Sequence, residues 1–425
     1  GVAYQHLGKL DSALSYLDQS VELFADGHSL STIKNNPALI ANIDGSKFAR
    51  SYFDIGQVLL QKYRTSAAKV NLMDSVANAF QAGLEIERLN RSQIMAVGSK
   101  FTRAKNIYPL YEAAISSNLD LAALKNDPQY LQSALIAAEQ AKGAIVLEER
   151  SKALAKQQSE LPVAMLKRDQ QIRRDLVFYE SKVYQEEARK ENADQDKIAR
   201  FRMEVFDLKQ QLHDWEAYVR EKYPAYLRKQ NRKSAMDPAN VQKALLAEDE
   251  LMVEYFVGKE ELYSFILSKD SMVVYRENVA AKLNHLVKAY YRAVNDYDFI
   301  HDSTAQNFQA FTSSASELYE ILLSAPLRDF PNTKKLTIIP HAALNRIPFE
   351  ALLTESVDES KVNFGALPYL LKSYEVRYSP SAVQLEETHR SARAPGNGRC
   401  LSMAPSYIQT AVAQNRGVRQ SAGHL

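Results

Sequence analysis

Apolar residues fall at helical spacings over the first part of this chain and in short runs over the second, and that change of pattern divides it. Over residues 1–24 Gly1, Tyr4, Gly8, Ala13, Leu17 and Val21 alternate small with large, so that two helices can approach closely with the larger side chains filling the gap. DSALSYLDQSVEL from Asp11 aligns without a gap to DSVANAFQAGLEI from Asp74, with Leu17 opposite Phe80, Val21 opposite Leu84 and Leu23 opposite Ile86. The offset is nearly two periods of a ~34-residue helical repeat, which predicts loop-extended or long-helix repeats. Ser31 to Gly45 reads as loop at one end. A third helical pair is predicted between Phe101 and Ala144, broken at Asn126-Asp127-Pro128.

From Leu161 to Tyr226 the pattern tightens. Ile198, Phe201, Val205, Leu208, Leu212, Trp215 and Val219 step by three and four in a heptad seam, preceded by a shorter one at Ile172, Leu176, Tyr179 and Val183. With a turn at Asn192-Ala193-Asp194 this predicts an antiparallel helical hairpin. The aromatic members of the seam are packing residues in this reading, not a cofactor box.

Near Ser234 the architecture changes. Asp237-Pro238 signals a helix start and Val241 to Leu246 a short helix. Strands are predicted at Leu251–Val257, Glu261–Leu267 and Met272–Tyr275, then helices at about 279–295 and 305–323. Leu336–Ile339 is a β-branched run stopped by Pro340, after which Ala343, Leu344, Ile347, Pro348, Phe349, Leu352 and Leu353 predict a helix beginning at Pro348. A strand at Tyr374–Tyr378, a helix at Ala382–His389 capped by Ser381, a loop over 391–398 and a strand at Arg399–Met403 follow. The fold class is α + α/β, with a mostly parallel sheet carrying helices on its faces. Three domains are expected: 1–150 helical repeats, 151–233 hairpin, 234–425 α/β. An outer strand of such a sheet left unpaired predicts poor solubility or dependence on a neighbour.

Composition narrows the function. The 425 residues are 46% apolar and 24% charged, with a formal charge of +2, which offers no dominant surface for nucleic acid or an anionic membrane. The basic clusters at Lys167, Arg168, Arg173 and Arg174 and at Arg228, Lys229, Arg232 and Lys233 read as solvated surface. No apolar window is long enough for a membrane span, and the expected location is the cytoplasm. One cysteine, Cys400, excludes an internal disulfide and a Cys-rich metal site. No metal-ligand spacing occurs, and Gly396 and Gly398 precede a strand rather than a helix, the reverse of a phosphate loop. No cofactor is expected.

A thiol nucleophile needs an imidazole and oxyanion donors. Cys400 lies inside a predicted strand and reads as buried; His341 reads as a turn histidine, nine positions before Glu350; His424 stands near the end of the chain. None is assigned a catalytic role.

Several of these stretches resemble one family. Ile338, Ile339, Pro340, Leu344, Ile347, Pro348, Phe349, Glu350, Ala351 and Leu352 are similar to the strand-and-turn signature of the CHAT domain, the caspase-like peptidase domain associated with tetratricopeptide repeats. Leu246, Glu250, Leu251, Glu254, Tyr255, Phe256, Gly258, Leu262, Tyr263 and Phe265 resemble the first strands of that domain. Ala134, Ala137, Ala138, Glu139, Ala141 and Lys142 resemble the last repeat before it, and residues 1–24 a tetratricopeptide repeat entered part-way through its first helix. The resemblance implies a fragment, truncated at both ends, of a bacterial-type cysteine endopeptidase gated by a protein or peptide partner on its repeats. In that family the catalytic His and Cys come later in the domain, each at the end of a core strand. They are therefore expected beyond Leu425, and this chain alone is expected to be inactive. A non-catalytic scaffold or adaptor is the alternative.

Overall fold

The computed structural model describes residues 1–35, 45–65, 70–93, 97–142, 161–189, 192–223, 236–302 and 304–392. The N-terminal part is a succession of helices: α1 (Val2–His6), α2 (Leu10–Ala25), α3 (Leu30–Asn35), α4 (Gly45–Thr65), α5 (Val70–Gln93), α6 (Val97–Lys125) and α7 (129–142). Neighbours pack in order, α2 on α4, α4 on α5 and α5 on α6. The two aligned segments fall in α2 and α5. Leu17, Phe80, Leu84 and Ile86 are buried, but Leu23 is 80% exposed: α5 lies between two long helices, whereas α2 has one long partner and the short α1. Asn126, in the left-handed region at φ 51°, ends α6, and the Asp127 carboxylate accepts the Gln129 N–H at 2.9 Å to start α7.

The hairpin forms as α8 (Val163–Glu187) and α9 (Gln195–Lys222). Ile172, Leu176, Leu208, Leu212, Trp215 and Val219 make its own apolar cluster, with Leu161 and Tyr223 at its base. Asp194 caps α9 by accepting the Lys197 N–H at 3.0 Å.

Beyond α10 (Pro238–Leu245), five strands form one sheet: β1 (Glu250–Val257), β2 (Leu262–Leu267), β3 (Met272–Glu277), β4 (Lys335–Ile339) and β5 (Glu375–Tyr378), in the order β3-β2-β1-β4-β5. β1 pairs parallel with β4, Val253 facing Ile338, and β4 parallel with β5; β2 pairs antiparallel with both β1 and β3. The sheet is thus mixed, not mostly parallel. The short turns that join β1 to β2 and β2 to β3 can close only antiparallel pairs.

Between β3 and β4 run α11 (Ala280–Asn295), α12 (Tyr297–Asp302) and α13 (Thr304–Tyr319), the last continuing through a π turn at Glu320–Ser324 into α14 (Ala325–Asp329). Pro326 sits in the first turn of α14, where its missing N–H is tolerated, so the helix outlasts its predicted end. The helix predicted from Pro348 does not form. The chain makes single 3₁₀ turns at Ala342–Arg346 and Phe349–Ala351, then extends so that Leu353 bridges Tyr369 and the Leu352 carbonyl accepts the Leu370 N–H at 2.8 Å. Phe349, Leu352 and Leu353 are each buried, and these long-range pairings override the local helix signal. α15 (Ala382–Ala392) begins as predicted, with Ser381 Oγ accepting the Gln384 N–H at 3.0 Å.

β1 is buried throughout, and its alternation sorts the layers. Leu251, Val253, Tyr255 and Val257 pack with α11 and α13. Met252 and Phe256 pack with Leu110, Ile115 and Leu135 of α6 and α7, with Val241 of α10 and with Val383 of α15. The N-terminal helices therefore supply much of the cover on one face of the sheet.

Candidate functional site

The polar groups that matter are concentrated where those helices meet the sheet. On α6, Tyr108, Glu112, Ser116 and Asp120 stand four residues apart and share a face. The Tyr108 ring stacks on Phe256 and on His341, each at 5.4 Å, and the His341 and Phe256 rings stack at 4.9 Å. His341 Nδ1 accepts the Val257 N–H at 2.8 Å, which puts the proton of the neutral ring on Nε2. Burial pushes the imidazole down to about 4, because a charged ring would lose its water without gaining a counter-ion.

One turn further on, the Lys259 N–H is shared between both oxygens of Glu112 at 3.0 and 3.1 Å. Gly258 makes room for this: a Cβ there would lie 2.1 Å from Glu112 Oε1. Burial raises the Glu112 carboxyl above its ordinary value, against the pull of the Lys259 N–H. Arg276 of β3 completes the row. It pairs with Asp120 at 2.8 Å and Glu261 at 2.9 Å, donates to Ser116 Oγ at 2.9 Å and lies over the Tyr263 ring.

α7 reaches deeper. Lys142 Nζ lies 2.7 Å from Glu254 Oε1 at the centre of the sheet, with Glu254 fully buried. Desolvation, and next the nearby Glu139, raise Glu254 well above the usual carboxylate range, so the geometry of an ion pair encloses a carboxyl that burial drives toward its neutral form. Glu139 accepts the Ala382 and Val383 N–H groups at 2.9 and 3.1 Å, capping α15 from a residue far away in the chain.

Chain leaves β1 toward β2 on one side and β4 toward β5 on the other. The C-terminal ends of β1 and β4 thus flank a topological switch point, the place where open α/β sheets hold ligands. Here Tyr108, Glu112 and His341 occupy it. His341, read from sequence as a turn histidine, stands at the start of the 3₁₀ turn Ala342–Arg346 and is buried there, with its Nδ1 engaged and its ring covered by Tyr108 and Phe256. It makes no hydrogen bond to Glu350, which accepts from Tyr378 Oη; Tyr378 Oη in turn accepts the Phe349 N–H at 2.7 Å. Cys400, His424, Gly396 and Gly398 lie outside the described residues. Glu139, Lys142, Glu254 and Gly258 stood in the sequence only as family-like positions, and the structure gives them partners. Sequence reading missed Tyr108, Glu112, Asp120 and Arg276; the four-residue spacing on α6 was the available signal.

Residues 312–423 match the family model of the CHAT domain. The CHAT domain is a caspase-like, peptidase-related family. The CHAT match starts inside α13 and takes in β4, β5 and α15, so β1–β3 precede it while sharing its sheet. Both anchors cross into it: His341 and the N-terminus of α15 belong to the CHAT segment, Tyr108 and Glu139 to the helices. No curated protein matches the chain. Among the described residues no group of three or more His, Cys, Asp or Glu could hold a metal ion, and no helix is long and apolar enough to cross a membrane.

Proposed function

We propose that the chain belongs to a cysteine endopeptidase of the caspase-like kind, whose TPR-like repeats bind a protein or peptide partner that gates cleavage. The supporting observation is the hold of the N-terminal helices on the CHAT segment. Glu139 caps α15 and Tyr108 covers His341, so a partner that shifts α6 or α7 acts on the sheet and on the helix that leads out of it. The catalytic His and Cys of this reading lie outside the described residues, and Cys400 is not the nucleophile.

The test is peptide cleavage by the protein carried to its natural termini, with and without thiol alkylation and with Cys400→Ala. Cleavage that alkylation abolishes and Cys400→Ala leaves intact is the expected result. A full protein that shows no thiol-dependent cleavage, and whose sequence holds no further His and Cys at strand ends, is instead an adaptor.

A further inference from the structure

α11 buries Leu283, Val287 and Tyr290 against the sheet and turns another row outward. Asn284, Lys288, Tyr291 and Arg292 of that row form one wall of a cleft of about 380 Å³; Ala342, Ala343 and Arg346, in the turn directly after β4, form the other. Three cationic residues line it. Lys288 and Arg292 stand four apart on one helix, a spacing at which like charges repel, and the Arg346 guanidinium is brought over the Tyr291 ring at 5.8 Å. Arg292 has Asp296 at 3.4 Å and the Phe299 ring beneath it. Lys288 and Arg346 have no carboxylate partner among the described residues. The walls are anchored in the core: Val287, Leu344 and Ile347 are buried, and Tyr290 Oη donates to the Pro348 carbonyl at 3.3 Å. Such a gathering of cations on fixed elements is unfavourable when empty and is relieved by an anion.

We propose that this cleft binds an acidic peptide segment, with a side-chain carboxylate held between Lys288, Arg346 and Arg292 and the Asn284 amide as a further donor. Beside it Tyr291 and Val294 are 43% and 38% exposed, which suits a neighbouring apolar side chain of a peptide and is of no use to a small free anion. The turn that carries Arg346 follows the C-terminal end of β4, on the side of an open sheet where ligands bind. The inference stands whether or not the protein is a peptidase.

Fluorescence anisotropy of the 425-residue chain tests it, using a labelled dodecapeptide with an Asp-Glu pair next to a Leu, and the same peptide with Asn-Gln. The acidic peptide binds, and the neutral one binds about tenfold more weakly or worse, as loss of charge-assisted hydrogen bonds requires. The double variant Lys288→Ala with Arg346→Ala loses a similar factor with an unchanged melting midpoint, since both side chains are exposed; Lys288→Glu, which reverses one charge, loses at least as much. Inorganic phosphate competes only at concentrations at least about tenfold higher than the acidic peptide. Equal binding of the two peptides, undiminished binding by the variants, or phosphate binding as tight as the peptide overturns the proposal.

Discussion

His341 shows how a single residue ties two distant parts of this chain together, and its chemistry makes the tie sensitive to acid. Folded, the ring is held neutral down to about pH 4 by burial; unfolded, it takes up a proton near the ordinary value of about 6.5. Between those two values the unfolded chain therefore binds more protons than the folded one. The contribution is complete above about pH 6.5 and is lost as pH falls through about 4, up to about 3 kcal/mol. His341→Phe keeps a stacked ring but leaves the Val257 N–H without its acceptor, an expected loss of about 1–3 kcal/mol at pH 7. Urea unfolding of both proteins at steps from pH 7 to pH 4 checks the two effects, and the gap between them should narrow toward acid. The raised carboxyls of Glu112 and Glu254 contribute with the opposite sign and are common to both proteins, so they cancel in the difference. A gap that stays constant with pH sinks this account. That His341 stands in a turn was legible from Pro340 beside it, but its burial was not, because Tyr108, which covers it, is 233 positions away.

At the scale of elements, α7 does what an exposed amphipathic helix cannot. A Glu139 and Lys142 pair three apart reads by itself as a solvated face, yet both meet buried groups, the N-terminus of α15 and Glu254 of β1. Burial drives Glu254 toward its protonated form. This predicts an order of damage. Lys142→Met removes the donor to the buried Glu254 carboxyl and is expected to cost about 2–3 kcal/mol, the upper end of the penalty for a buried acceptor left unsatisfied. Glu139→Gln weakens the cap on two N–H groups and should cost about 1–2 kcal/mol. Glu254→Gln mimics the protonated acid and should cost under about 1 kcal/mol at pH 7. Melting midpoints of the three variants decide it, and a Glu254→Gln change as damaging as Lys142→Met would show the carboxylate to be ionised after all. Helix and strand identities were legible here because a short apolar run bounded by turn residues reads as a strand, as in Leu251 to Val257, and a heptad of apolar positions reads as a helix, as in Ile198 to Val219. The helix expected at Pro348 was not, because Leu353 and Leu370 are fixed by partners that no local pattern names.

Across the whole molecule, apolar clusters rather than stretches of chain define what can stand alone. The cluster that holds Met252, Phe256, Tyr263 and Ile339 on one face of the sheet also contains Phe80, Tyr111, Ile115 and Leu135 of the N-terminal helices. Cutting the chain near Ser234 would expose that face, and several fully buried side chains at about 1.5–3 kcal/mol each exceed the stability of an ordinary domain. The hairpin is different: Ile172, Leu176, Leu208 and Trp215 bury one another, and Leu161 and Tyr223 bring its two ends to the same base. Replacing residues 161–223 by a short Gly/Ser linker should leave the melting midpoint of the remainder within a few degrees of the parent. A fragment of 234–425 should bind a hydrophobic dye, lose its near-ultraviolet circular dichroism and aggregate. Adding a separate fragment of 1–145 should suppress that aggregation, since the missing cover is then returned. A well-folded, monomeric 234–425 fragment would show that the sheet does not need the helices, and with that the route from the N-terminal helices to the CHAT segment through α6 and α7 would lose its physical basis.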